Sequence, residues 1–108
     1  MKRIHIALGV RDISKSVREY SRRLGKKPDT VIPNEYALWR TPSLNFSIRL
    51  DPKNAGKLRH LGWEDGSAQK FSRDKDSNGI VWERFSRKHQ ADEIEALWPT
   101  ARRRPRKK

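Results

Sequence analysis

Short runs with the two-residue period of a β-strand recur along this chain and constrain its fold more than any other feature. The clearest run is 44–50, where apolar residues alternate strictly with mostly polar ones: Leu44, Phe46, Ile48 and Leu50. Similar runs occupy residues 4–10, 30–32, 35–40, 58–63 and 80–85, and a weaker one covers 68–72. The chain is therefore expected to build a β-sheet.

One amphipathic helix is predicted after the first strand. Its apolar residues recur at helical spacing and form a stripe that can pack on a sheet: Ile13, Val17, Tyr20 and Leu24. Asp12 or Ser14 can cap its N-terminus, and Gly25 has the position that commonly ends a helix. Residues 3–50 are thus expected to form a β-α-β-β-β module.

A second, shortened module is expected at residues 58–87. Only residues 64–79 separate its two main strands, and they carry no helical stripe. Apolar residues at 94, 97 and 98 favour a short helix at 89–98, and the basic tail at 99–108 is expected to be disordered. The predicted fold class is α+β: one domain at 1–88, with a βαβββ module and an abbreviated second β module, followed by the short C-terminal helix.

Composition limits the classes of protein and of site. The 108 residues carry a net charge of +13, and the last eight hold six basic residues and no acid. The other residues include 20 basic and 13 acidic ones, a net charge of +7, so the body is basic too. With no cysteine, disulfides and thiol chemistry are excluded. No apolar stretch resembles a membrane span or secretory signal, so a cytoplasmic protein is expected.

Three strand-like runs each carry one side chain that can bind a metal: His5, His60 and Glu83. Two imidazoles and one carboxylate form a facial set that leaves coordination positions open for a substrate. Such a set requires three distant segments to meet, which a sheet can achieve. Divalent Fe, Mn, Ni, Co and Zn all suit these ligands, and the sequence does not choose among them.

Structural roles are expected for the third histidine and the aromatic residues. His89 lies in a polar junction and is predicted to be exposed. Core packing is favoured over a cavity lining for three tryptophans: Trp39, Trp63 and Trp82. Core or rim packing is also favoured over a proton-donor role for Tyr20 and Tyr36.

Four sequence segments, taken in their order along the chain, resemble those of a known family. They are His5-Ile6-Ala7-Leu8-Gly9-Val10-Arg11-Asp12, Ser16-Val17-Arg18-Glu19-Tyr20 with Leu24-Gly25, His60-Leu61-Gly62-Trp63, and Asp76-Ser77-Asn78-Gly79-Ile80-Val81-Trp82-Glu83. Together they resemble the vicinal oxygen chelate superfamily, which includes glyoxalase I, extradiol dioxygenases and bleomycin-resistance proteins. Residues 36–39 and 44–48 look closest to the branch that contains the organoarsenical lyase.

The resemblance implies a glyoxalase-like domain in which His5, His60 and Glu83 hold a divalent metal. No residue stands out as the acid or base, and Glu83 is the candidate that can leave the metal and move a proton. The sequence departs from the family pattern at Glu19, where an aromatic residue is usual, and at Ser77, where proline is usual. The second module also lacks its helix, which leaves a sheet face uncovered, so a homodimer is expected. The cysteine pair of arsenical-binding relatives is absent.

Three functions remain open at this point. The resemblance implies a small metal-dependent lyase or dioxygenase that acts on a small oxygen-chelating substrate. The alternative is a non-catalytic small-molecule-binding or resistance-type protein of the same fold, which needs no metal. The third is a basic nucleic-acid-associated protein, whose tail would contact phosphates without sequence preference. No membrane partner is expected.

Overall fold

The computed structural model describes residues 2–99, which form a seven-stranded mixed sheet and two α-helices. The elements are β1 (Lys2–Val10), α1 (Ile13–Leu24), β2 (Thr30–Ile32), β3 (Tyr36–Arg40), β4 (Leu44–Leu50), a 3₁₀ turn (Pro52–Asn54), β5 (Leu58–Asp65), β6 (Ser72–Lys75), β7 (Val81–Phe85) and α2 (Arg87–Leu97). The strand order is β2-β3-β4-β1-β5-β7-β6. The predicted α+β class, a βαβββ module followed by an abbreviated one, is confirmed.

The two modules repeat one pairing pattern. In the first, β1 is parallel to β4, and β4 is antiparallel to β3. In the second, β5 is parallel to β7, and β7 is antiparallel to β6. Antiparallel pairing of β1 with β5 joins the modules in the middle of the sheet. The first strand of each module therefore lies at the centre, where side chains from both modules can meet.

Helix α1 covers one face of the first module. Asp12 accepts a hydrogen bond from the Lys15 backbone N–H at its start, and Gly25 ends it in the left-handed conformation at φ 73°. Its apolar stripe packs on a core whose largest buried members are Trp39 and Ile48. Burial of this stripe positions β1 and β4 firmly, because core side chains pack at close to crystal density.

Helix α2 lies over the opposite face of the sheet. Its Ile94 packs on a smaller apolar cluster that includes Ile32, Tyr36 and Leu38. The helix starts at Arg87, earlier than the expected residue 89, because Ser86 and His89 form a reciprocal capping box. The prediction that His89 is exposed is wrong: the ring is half-buried, and its Nδ1 accepts the Ser86 backbone N–H.

The face of β5 and β7 opposite α2 has no covering helix among residues 2–99. Core packing was expected for Trp63, but this side chain is 39% exposed because periodicity does not reveal whether a face is covered. Trp82 is half-buried and donates its indole N–H to Asp76, whereas Trp39 is fully buried as expected. The short strand predicted at 68–72 lies instead at Ser72–Lys75, as β6.

Two further expectations concern the membrane and the tail. Within residues 2–99, neither helix is long and apolar enough to cross a membrane. Of the basic tail predicted at 99–108, residues 100–108 lie outside the described residues.

Candidate metal centre

Strand register brings the three candidate ligands to one face of the sheet. His5 on β1 is paired with Gly62 on β5, and Gly62 is paired in turn with Glu83 on β7. His60 lies two residues before Gly62 and therefore points to the same face. The three side chains surround a residue without a side chain of its own. A Cβ added to Gly62 would lie 2.3 Å from the Glu83 carbonyl oxygen, so the strands need glycine there.

The ligand atoms of the three residues converge. The Nε2 atoms of His5 and His60 are 3.0 Å apart, and His60 Nε2 lies 3.1 Å from Glu83 Oε1. One ligand atom from each of the three lies within 4.8 Å of the others. His5 and Glu83 are buried and His60 is half-buried, so the cluster is largely shielded from water.

Asn45 on β4 sets the tautomer of His5. The Asn45 amide NH₂ donates to Glu64 and to Gln90, both at 2.8 Å, so its oxygen is the acceptor toward His5. That oxygen lies 2.8 Å from His5 Nδ1, which therefore carries the proton and donates it. The Nε2 lone pair of His5 is left pointing at His60 and Glu83, as in histidines that bind a metal.

Electrostatics favour a neutral His5 and an ionised Glu83. Burial, followed by the neighbouring His60, lowers the pKa of the His5 imidazole. Burial opposes ionisation of Glu83, but the hydrogen bond and charge of His60, with smaller contributions from His5 and Arg73, outweigh it and hold the Glu83 pKa below its usual range. Without a metal, the proton on His60 Nε2 is shared by two acceptors, His5 Nε2 and Glu83 Oε1. A divalent cation at this point would bind one ligand atom from each of the three residues, so the residues fit a metal.

The pairing pattern also shows which residue of the first module is equivalent to Glu83. Ala7 pairs with both His60 and Ser47, just as Gly62 pairs with both His5 and Glu83. The two modules are thus related by a local pseudo-twofold that exchanges the histidines and places Ser47 where Glu83 stands in the other module. The position equivalent to Glu83 therefore carries a serine hydroxyl, and the strong metal ligands at this point are His5, His60 and Glu83.

The open side faces a cavity of about 350 Å³ between the sheet and α2. Its walls include Tyr36, Ser47, Phe71 and Phe85, besides the three candidate ligands. The interpretation of Tyr36 as a packing residue is incomplete, since it also lines this cavity. Burial raises the pKa of the Tyr36 phenol above its ordinary value, so it remains a neutral O–H group at physiological pH.

Arg73 on β6 holds the outer oxygen of Glu83. Its guanidinium lies 3.2 Å from Glu83 Oε2 and 3.7 Å from the Glu93 carboxylate on α2. The inner oxygen, Oε1, is the one that faces His60. Arg73 therefore orients the Glu83 carboxylate toward the histidines and links β6 to α2.

Comparisons with known proteins complete the description of the fold and site. No family model matches the chain. The chain is 34% identical over 87 residues to a trivalent organoarsenical cleaving enzyme of Bacillus sp. (strain MD1), and the alignment covers 75% of this chain and 53% of that enzyme. The chain thus spans about half the length of this distant homologue.

A solved structure supports the fold alone. It is described as an NAD-dependent benzaldehyde dehydrogenase from Legionella pneumophila, and it superposes with a TM-score of 0.54 at 12% identity. The match covers 77% of this chain and 97% of that one. The fold and site therefore define a mixed-sheet α+β domain with a candidate two-histidine, one-carboxylate centre, distantly related to an organoarsenical cleaving enzyme.

Proposed function

We propose that this protein is a small metal-dependent enzyme of the vicinal oxygen chelate superfamily that acts on a small substrate with two neighbouring oxygens. One observation carries the proposal: the ligand atoms of His5, His60 and Glu83 lie within 4.8 Å of one another beside a cavity. Chance rarely buries a carboxylate beside two imidazoles, because a charge without compensation is costly to bury. The homology to an enzyme supports a catalytic function.

A divalent ion held by His5, His60 and Glu83 would supply Lewis-acid polarisation of the substrate oxygens. The chain itself provides the orientation of its ligands. Asn45 keeps the Nε2 lone pair of His5 free for coordination, and Gln90 on α2 fixes Asn45 in turn. Second-sphere hydrogen bonds of this kind raise the basicity of a ligand and lock its ring.

Glu83 is also our candidate for moving a proton. Its carboxylate is ionised, lies at the edge of the cavity and has its outer oxygen held by Arg73. Tyr36 is a second group that can donate a hydrogen bond to a bound molecule, since its phenol stays protonated. These two groups have opposite roles: Glu83 accepts a proton, and Tyr36 donates a hydrogen bond.

The substrate of the homologue is not carried over to this chain. Soft cations such as trivalent arsenic prefer thiolate ligands, and these 108 residues contain no cysteine. The cavity offers hydroxyl, carboxylate and guanidinium groups instead. A substrate with hard oxygen donors suits such walls.

The alternative is a binding protein that holds the same class of molecule without changing it. The shortened second module favours this alternative, because α1 packs on the strands of the first module, whereas no helix lies between β5 and β7 to support the strands that carry His60 and Glu83. Binding alone needs no metal, so the metal content of the protein separates the two functions.

The test is elemental analysis of protein purified without a histidine tag. We expect about one equivalent of a divalent metal per chain and its loss in His60→Ala and Glu83→Ala. His89→Gln is the matched control: it removes the third histidine, which lies outside the cluster, while glutamine can preserve the capping box. Circular dichroism shows whether each variant is folded. Equal metal content in folded wild-type, His60→Ala and Glu83→Ala proteins would reject the proposal.

A further inference from the structure

A β-bulge in the pairing of β1 with β5 turns the positively charged side chain of Arg59 toward the cavity. Ala7 pairs with His60, but the next residue of β1, Leu8, pairs with Leu58, so Arg59 is an extra residue in β5. Strict alternation would place Arg59 on the face opposite His60. Because of this bulge, the consecutive residues Arg59 and His60 both line the cavity.

Arg49 reaches the same cavity from the other module. It lies on β4, on the face that carries Asn45 and Ser47, and lines the cavity together with Arg59. Its guanidinium carbon lies 5.3 Å from the centre of the Trp98 ring, which in turn packs against the Tyr36 ring at 5.1 Å. Arg49 is thus held against an aromatic wall rather than extended into water.

Neither guanidinium has a carboxylate within ion-pair distance among residues 2–99, although the other arginines facing this side of the sheet do. Arg73 pairs with Glu83 and Glu93, which are the acidic groups lining the cavity. Arg3 and Arg40 both pair with Glu64. Arg49 and Arg59 are both half-buried. Arg49 is the largest charge acting on Arg59, ahead of the opposing carboxylates Glu83 and Asp51, and an anion between the two guanidiniums would relieve their repulsion.

We infer that Arg49 and Arg59 form a binding subsite for an acidic group of the substrate, a carboxylate or a similar oxoanion. Guanidinium groups match the geometry of such anions and bind them in two-point contacts. The inference rests on the proposed function and narrows it: the substrate is a small organic acid whose anionic end is held by the arginines while its other oxygens face His5, His60 and Glu83. The aromatic rings of Tyr36 and Trp98 on the cavity wall suit a planar acid.

The experiment compares benzoate with benzamide, which have nearly the same shape but differ in charge. Binding to EDTA-treated, full-length protein is measured by calorimetry, so that the result does not depend on a metal. Wild type should bind benzoate roughly tenfold more tightly than benzamide, and Arg49→Gln or Arg59→Gln should remove most of this preference. Arg22→Gln is the control, since it removes an equal charge from an exposed position on α1 and should leave the preference unchanged.

Two outcomes overturn the inference. One is equal affinity of folded wild-type protein for the two probes. The other is an equal loss of preference in Arg22→Gln and in the cavity variants, which would attribute benzoate binding to overall charge. Elemental analysis of the wild-type protein separates this inference from the proposed function. If wild-type protein binds no metal but prefers benzoate, the anion subsite stands and the enzyme proposal falls. If it binds a metal but shows no benzoate preference, the enzyme proposal stands and the anion subsite falls.

Discussion

The Nε2 atoms of His5 and His60 lie 3.0 Å apart although the residues are 55 positions apart in sequence. Each belongs to the first strand of a module, and the antiparallel pairing of β1 with β5 brings these strands together. With Nδ1 of His5 donating to Asn45, the two nitrogens compete for one proton. This competition makes the pair receptive to a cation.

Asn45→Ala should weaken metal binding by roughly 10–100-fold, the usual effect of removing a second-sphere partner of a ligating histidine. The physical reason is loss of the acceptor that keeps the proton on His5 Nδ1. Zinc affinity measured by competition with a chromophoric chelator checks this. Asn54→Ala, which removes an exposed amide far from His5, should bind zinc like wild type. Equal affinities in Asn45→Ala and Asn54→Ala would remove Asn45 from the site.

Gly62→Ala should destabilise the protein by about 1–3 kcal/mol, as overpacking commonly does, and should also disturb the metal site. The added Cβ would lie 2.3 Å from the Glu83 carbonyl oxygen, so β5 and β7 would have to separate. Gly66→Ala is the control, because nothing lies within 4 Å of a Cβ there. Urea unfolding of both variants measures the difference. Similar midpoints for the two would show that β5 and β7 tolerate the methyl group.

Stability of the metal-free protein should fall as the pH falls. Burial opposes ionisation of Glu64, but hydrogen bonds from Arg40 and Asn45 lower its pKa to about 2. Since the folded-state pKa lies below the unfolded value, Glu64 contributes stability above about pH 4.5 and loses it progressively toward pH 2. His5 reduces the stability at a higher pH than Glu64 does. Its folded-state pKa is lowered, so the unfolded state binds the His5 proton first as the pH drops below 6.5.

Melting temperatures between pH 7 and pH 3 measure this dependence. Glu64→Gln should flatten the part of the curve below pH 4.5, and at pH 7 it should cost about 1–3 kcal/mol because Arg3 and Arg40 lose their partner. Glu19→Gln, on the exposed side of α1, should keep the acid-sensitive shape. A Glu64→Gln curve parallel to that of wild type would exclude Glu64 as the group responsible.

The homodimer expected from the sequence stays a prediction. Trp63 is 39% exposed on the uncovered face of the second module. In the first module, α1 covers the equivalent face. A second copy of the chain covering this face should give a mass about twice 12.7 kDa by light scattering. Trp63→Ser should shift the protein toward the monomer, whereas Val31→Ser, at a position on β2 that is 45% exposed, should not. A wild-type monomer at micromolar concentration would refute the prediction.

Local pattern was enough to predict the sheet, α1 and the missing helix of the second module. The alternation of residues 44–50 gave β4, and the capping residues around 13–24 gave the ends of α1. The same alternation separates Asn45 and Ser47 from the apolar face, which is the signal that could have assigned them to the site. Their partner Gln90 carries no such signal, since the docking of α2 depends on tertiary contacts.

Two features of the site could not be predicted because they depend on pairing between distant strands. The bulge that turns Arg59 toward the cavity exists only in the register of β1 with β5. The exposure of Trp63 depends on what covers β5 rather than on its own sequence. The convergence of His5, His60 and Glu83 is present in the structure, whereas their role as metal ligands remains a proposal.

The most direct test of the central claim is an anomalous difference map from crystals of this protein soaked in zinc. We expect one strong peak per chain at about 2.0–2.2 Å from His5 Nε2, His60 Nε2 and a Glu83 carboxylate oxygen. The peak should disappear in crystals of His60→Ala. A map with no peak at this point, or with zinc only at His89 or surface carboxylates, would contradict the account.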